Sequence, residues 1–206
     1  MRPTRIPLFP LDVVLLPGTS LPLHIFEPRY KKMIRRCLDA KIEFGMIYAT
    51  GQNVATVGCT AEIVQKLKDY PDGRMDILTK GRAPFRLLQL LQDEAYHEGV
   101  VEYLSEELSP DDLQRNARII RLLQDCHVLL YGQAWVESEA ERDFSLAYRF
   151  AARLPMELKE KQWILEMRSE SERCDFLEKW LGDFMPQLEK QQSVRKRAAG
   201  NGHGPN

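Results

Sequence analysis

From Arg5 to about Leu104, apolar residues fall in short runs or strict alternation, the pattern of half-buried and fully buried strands. Eight such segments are predicted: Ile6–Phe9, Val13–Leu16, Leu21–Phe26, Glu43–Ala49, Thr56–Leu67, Arg74–Gly81, Pro84–Leu91 and Tyr96–Leu104. Pro17-Gly18 turns the chain between the second and third. Pro71-Asp72-Gly73 combines a fixed φ, a carboxylate that bonds local backbone and a residue tolerant of positive φ, so it predicts a hairpin between two long strands. Pro3, Pro7, Pro10, Pro17 and Pro22 cannot donate to a ladder, which makes the opening strands short, bulged or edge strands of a curled sheet.

One helix interrupts this region. Glu27 and Pro28 suit a cap and a first helical position, and Tyr30, Met33, Ile34, Cys37 and Leu38 recur on one face. The opposite face carries Lys31, Lys32, Arg35 and Arg36. After Ser105 the period becomes helical. Ser109-Pro110-Asp111-Asp112 predicts a capped start to a helix whose inner face is Leu113, Ala117, Ile120, Leu123, His127 and Leu130. A second runs from about Asp143 to Leu154, where Pro155 stops it. A third runs from about Glu157 to Met167. The fourth starts after the capping-box pair Ser169 and Glu172, ends near Glu189, and presents Cys174, Leu177, Trp180, Leu181, Phe184 and Leu188. Trp163, Trp180 and Phe184 at this spacing are expected to face the bundle rather than a dimer partner. From Ser193 onward little can be buried, and a disordered tail is expected. The predicted organisation is a β-rich part (1–105), a helical part (106–192) and a tail (193–206).

Composition narrows the function. Lys plus Arg number 29 against 30 for Asp plus Glu, so no overall field draws nucleic acid or an acidic membrane to this chain. The basic helix face has no interleaved aromatic platform for bases, and a solvated face is its simpler reading. Cys37, Cys59, Cys126 and Cys174 are scattered, with no CxxC pair and no secretory leader, which points to a reducing cytoplasm. No apolar run approaches the roughly 20 residues of a membrane span.

Catalytic signals are missing as well. There is no G-x-x-x-x-G-K-[ST] phosphate loop. His24, His97, His127 and His203 make no metal-ligand spacing with one another or with cysteine, so neither a metal nor a cofactor is expected. Cys126 and Cys174 lie on apolar helix stripes, where thiols are inert packing groups. Glu27 and Arg29 are the sharpest polar candidates: the first as a helix cap, the second paired with a carboxylate, or both as the rim of a binding site.

Several segments together carry a family resemblance: IPLFPLDVVLLPGTSLPLHIFEPRY at Ile6–Tyr30, DGR at Asp72–Arg74, GRAPFRL at Gly81–Leu87 and KQWILEMRSESER at Lys161–Arg173. Across roughly residues 4 to 190 the chain resembles the amino-terminal substrate-binding domain of Lon ATP-dependent proteases. It departs from the family pattern at Pro84, where an arginine is common. The ATPase and protease modules that follow this domain in a full Lon have no room before Asn206. The resemblance implies an α+β fold: a six-stranded, partly open, PUA-like β-barrel with one crossing helix, joined to a helical bundle. It also implies recognition of exposed or unfolded polypeptide segments, or of a partner protein. The expected function is a non-catalytic peptide-binding module, an adaptor in protein quality control, with Phe26, Glu27, Arg29 and Phe85 as candidate contacts and a monomer or weak homodimer as its state. The alternative is nucleic-acid or nucleotide binding through the PUA-like barrel and the basic helix face.

Overall fold

The computed structural model describes residues 4–51, 53–91, 95–105, 112–136 and 144–200. The proposed cap at Ser109–Asp111, the helix start at Asp143 and His203 lie outside them. Six strands form one mixed sheet: β1 (Arg5–Leu11), β2 (Ser20–Ile25), β3 (Phe44–Thr50), β4 (Asn53–Asp69), β5 (Met75–Leu91) and β6 (Glu98–Tyr103). The order is β2-β5-β4-β3-β1-β6, and β6 also pairs with β5. This second pairing closes β5, β4, β3, β1 and β6 into a ring, with β2 next to β6 along the same edge of β5. The sheet is therefore curled as the prolines require, but ring-like rather than a regular barrel.

Two of the predicted strands are one. Arg74–Gly81 and Pro84–Leu91 merge into the 17-residue β5, paired first with β2 and β4 and later with β6. Gly81 makes the continuity possible. Its amide donates to the Thr19 carbonyl, its carbonyl accepts from Gly18, and a Cβ there would stand 2.3 Å from the Leu16 carbonyl oxygen. Val13–Leu16, predicted as a strand, is instead irregular and crosses over this point, burying Val14, Leu15 and Leu16. Apolar content alone cannot separate a buried strand from a buried loop of that length. The Pro71-Asp72-Gly73 hairpin joins β4 to β5 as expected, with Gly73 at φ 80°.

The ring is filled by side chains. Ile6, Leu8, Ile47, Phe85 and Val101, from four of its strands, form a small separate core. Phe85 fits because glycines surround it: a Cβ at Gly58 would lie 2.6 Å from the Phe85 ring and one at Gly45 2.8 Å.

Helix α1 (Pro28–Ala40) follows β2, with Pro28 opening it and Tyr30, Met33, Ile34 and Cys37 buried. Lys41, at φ 52°, closes it in the left-handed conformation. The remaining helices are α2 (Asp112–Tyr131), α3 (Leu146–Ala151), α4 (Leu158–Glu166) and α5 (Glu170–Gly200). Ser169 and Glu172 form the reciprocal bonds of the predicted capping box. The helix they start does not end near Glu189. It continues through Pro186 to Gly200, where a disordered tail was expected from Ser193. Gln, Lys, Arg and Ala are good helix formers, no breaker intervenes after Pro186, and Gln192 donates to the Leu129 carbonyl of α2. Trp180 and Phe184 pack on the main core, with Trp180 donating to Glu160, whereas Trp163 is 42% exposed.

The main core runs without a break through both halves, from Phe9, Tyr30, Phe44 and Met46 to Leu123, Ala147, Ile164 and Leu177. Polar ties support it. Gln162 of α4 donates to the Val57 carbonyl of β4 at 3.0 Å. Glu98 of β6, 2% exposed, accepts from Arg36 of α1 and from Arg5 of β1 at 2.5 Å each. Burial alone pushes the Glu98 pKa up, but the bonds from the two guanidinium groups outweigh it and hold the carboxyl below the usual range. A depressed pKa means stability that is present above the unfolded value and lost as pH falls through the folded one. Glu98→Gln should therefore lower stability by about 1–2 kcal/mol at neutral pH. In urea titrations, the gap between the two proteins should close as pH drops below about 4.

Candidate functional site

The ring leaves one seam. Strand β6 covers only Arg5–Pro7 of β1, with one more bond from the Leu8 amide to the His97 carbonyl, while Leu8–Leu11 pairs on its other side with β3. Among the described residues, strand β2 pairs with β5 alone. The end of β1 and the free edge of β2 face each other across a cleft of about 330 Å³. It is lined by Phe9, Pro10 and Leu11 of β1, by Pro22 to Ile25 of β2, and by Phe26, Glu27, Arg29 and Tyr30 at the β2–α1 junction.

Local sequence explains this shape. Pro10 and Pro22 lack an amide hydrogen, so each interrupts the donor row that a neighbouring strand would need, and the two edges do not zip together. Phe9 and Tyr30 form the floor, with ring centroids 4.2 Å apart. Burial raises the Tyr30 pKa, and its hydroxyl stays protonated. Phe26 stands at the mouth with 58% of its surface exposed. Arg29 lies 4.6 Å over the Tyr30 ring and donates from Nε to Glu27 at 2.8 Å.

The cleft is bordered on the β2 side by a polar cluster. His24 Nδ1 is 2.5 Å from Asp76 Oδ1, and the Tyr70 hydroxyl donates to Asp76 Oδ2 at 2.8 Å. The bond with His24, then that from Tyr70, holds the Asp76 carboxyl below its ordinary pKa. His24 stacks on Phe26 with centroids 6.0 Å apart, which fixes one side of the exposed ring.

Three of the four sequence candidates, Phe26, Glu27 and Arg29, thus meet at one place. Phe85 does not: it is fully buried inside the ring and offers no surface to a ligand. Glu27 also departs from its expected cap role. Its side chain makes no cap bond to the helix and is held by Arg29, while its carbonyl accepts from Lys31. Phe9, Pro10 and Pro22 were legible only as strand-edge prolines and apolar strand positions. The His24–Asp76–Tyr70 cluster gave no signal, because its members come from β2, β5 and the β4–β5 connection and meet only through strand pairing.

Burial pushes the Cys37 thiol to about 12 and the Cys126 thiol to about 11, so both are protonated packing groups, and all four cysteines are buried. Among the described residues no cluster of three His, Cys, Asp or Glu side chains could hold a metal, and no helix is long and apolar enough to cross a membrane. What the cleft offers is an apolar floor, an exposed aromatic ring and an ion pair at the rim.

Residues 5–183 match the family model of the ATP-dependent protease La (LON) substrate-binding domain. Among curated proteins, the chain is 27% identical over 222 residues to the Lon protease of Escherichia coli, covering 96% of this chain and 28% of that protein. Lon protease 1 of Hydrogenovibrio crunogenus is 25% identical over 203 residues, covering 90% of this chain and 24% of the relative. The chain thus spans about a quarter of the length of these relatives. Among solved structures, a Lon N-terminal domain protein from Xanthomonas campestris superposes with a TM-score of 0.66 at 25% identity, covering 86% of this chain and 98% of the other. The N-terminal domain of a Mycobacterium avium complex Lon protease gives 0.70 at 16% identity, covering 87% and 98%, and so shares the fold.

Proposed function

The chain belongs to the family of LON substrate-binding domains, and from that premise we propose that it is a non-catalytic module that captures extended, apolar-rich polypeptide segments in the β1–β2 seam. The observation that carries this reading is Phe26. A phenylalanine 58% exposed at the mouth of an apolar cleft, stacked on His24, is a surface aromatic with a fixed pose and a pocket beside it. Pro10 and Pro22 deny a bound segment the continuous donor row of an added strand. Recognition then rests on side chains placed against Phe9, Tyr30 and Phe26, with Glu27 and Arg29 at the rim. Such a mode is tolerant of sequence, as the capture of unfolded chains requires. The matched region is the substrate-binding domain, and capture of exposed segments by such a domain is the part an adaptor in protein quality control would play.

A fluorescein-labelled, aromatic-rich unfolded peptide provides the test. Saturable binding by anisotropy is expected, and Phe26→Glu should weaken it by roughly 10- to 100-fold, the range for loss of an aromatic anchor. Because Phe26 is exposed, circular dichroism of the variant should match the wild type. Absence of binding up to high micromolar protein, or equal binding by Phe26→Glu, would overturn the assignment.

A further inference from the structure

On the other side of the first turn of α1 from the seam lies a second groove, of about 670 Å³, and its chemistry differs. Lys31, Lys32, Arg35 and Arg36 line it at the i, i+1, i+4 and i+5 positions of one helix face, with Asp39 and Asp72 as the only carboxylates of the lining. Those cations are not evenly neutralised. Asp72 already accepts from the backbone and side chain of Arg74, which hold its pKa low. Arg36 is already tied to the Tyr96 hydroxyl and to Glu98. Lys31 is bonded to a backbone oxygen, that of Asp72, at 3.2 Å. Arg35 is exposed, lies over Gly73 at the β4–β5 hairpin tip, and has neither ion pair nor hydrogen bond among the described residues. The lining thus sets four cations against two carboxylates, and Arg35 pairs with neither of them.

We propose that this groove is an anionic subsite that takes acidic stretches of polypeptide, Glu- and Asp-rich segments flanking the apolar residues held in the seam; the assignment rests on the peptide-binding reading given above. Two features favour a polypeptide over a nucleic acid. The lining contains no aromatic ring on which a base could stack, and single-stranded nucleic acid depends on such platforms. The groove also shares α1 with the seam: Glu27, Arg29 and Tyr30 face the cleft while Pro28, Lys31 and Lys32 face the groove, so one chain crossing the helix start meets both. Lysine and arginine on a mobile-stemmed helix face match carboxylates spaced along an extended chain without demanding a sequence.

The test uses the full chain, a labelled Glu-rich peptide, its Gln-substituted twin and the aromatic-rich peptide described above. Lys31→Glu combined with Arg35→Glu reverses two cations of the lining and leaves the Arg36–Glu98–Arg5 tie intact. The Glu-rich peptide should bind and its twin should not. Binding should weaken several-fold between low salt and about 0.15 M, where the screening length falls to about 8 Å. The double variant should lose roughly tenfold or more for the Glu-rich peptide while binding the aromatic-rich peptide like the wild type. Phe26→Glu should show the reverse pattern, so failure of the groove and failure of the seam are read separately. No binding of the Glu-rich peptide, equal binding of its Gln twin, an unaffected double variant, or stronger salt-dependent binding of a single-stranded oligonucleotide would each overturn the proposal.

Discussion

Glu170→Ala should lower the unfolding free energy by about 3–5 kcal/mol, the cost of leaving a buried charge without its partner. The residue sits at the first turn of α5, and its carboxylate accepts from the Ser145 hydroxyl, from the Ala147 amide at 3.0 Å and from Arg173 at 3.0 Å. Arg173, with 1% of its side chain exposed, also donates to the Tyr148 hydroxyl and the Met167 carbonyl and lies 4.4 Å over the Tyr148 ring. This cluster ties α3 to α5. Removing the carboxylate strands the guanidinium in a space that water reaches poorly, and also leaves the start of α3 without its acceptor. Replacing both partners with apolar residues, Glu170→Met with Arg173→Leu, should recover part of the loss, because the Arg173 charge is then no longer desolvated without this carboxylate; buried Arg149, which also faces Glu170, keeps the recovery partial. Urea unfolding followed by circular dichroism checks both. A loss below about 1 kcal/mol for Glu170→Ala would place this pair among ordinary surface ion pairs.

How much of this was legible beforehand depended on whether the signal was local. The period-3.6 face of α1, the Pro28 start, the Ser169–Glu172 box and the Pro71-Asp72-Gly73 hairpin are fixed by neighbours a few residues apart, and all four stand where the sequence puts them. Features that depend on distant partners were not legible. Val13–Leu16 has the apolar content of a strand, yet it is shaped by a crossing over Gly81, a residue far along the chain. Gln192 reaches Leu129, so α2 as well as helix-forming composition carries α5 past Glu189. The seam itself is a property of ring closure: Pro10 and Pro22 marked strand edges, but which edges would face each other required the β5–β6 pairing. Phe26 and Phe85 illustrate the limit most directly. Both are phenylalanines in strand-like runs of the family signature, and no periodicity distinguishes the one at the mouth of a cleft from the one inside the ring.

Phe85→Ala separates these two aromatics experimentally, with an expected loss of about 3–5 kcal/mol in stability and no direct loss at the binding surface. The ring interior has no spare volume in which to relax. Phe85 is packed with Ile6, Leu8, Ile47 and Val101, and the backbones of Gly45 and Gly58 come close to it because neither residue carries a Cβ. Hydrogen-bonded strands fix the ring's circumference, so the wall cannot collapse inward, and truncation should leave most of the removed volume as a cavity. The variant should therefore unfold at lower urea yet, while folded, bind the aromatic-rich peptide with an affinity close to that of the wild type. Phe26→Glu should do the opposite, retaining stability and losing affinity. Measuring denaturant midpoint and peptide Kd for both variants gives a two-by-two pattern, and a Phe85→Ala protein that stays stable but cannot bind would return Phe85 to the site and refute its role as the ring's core.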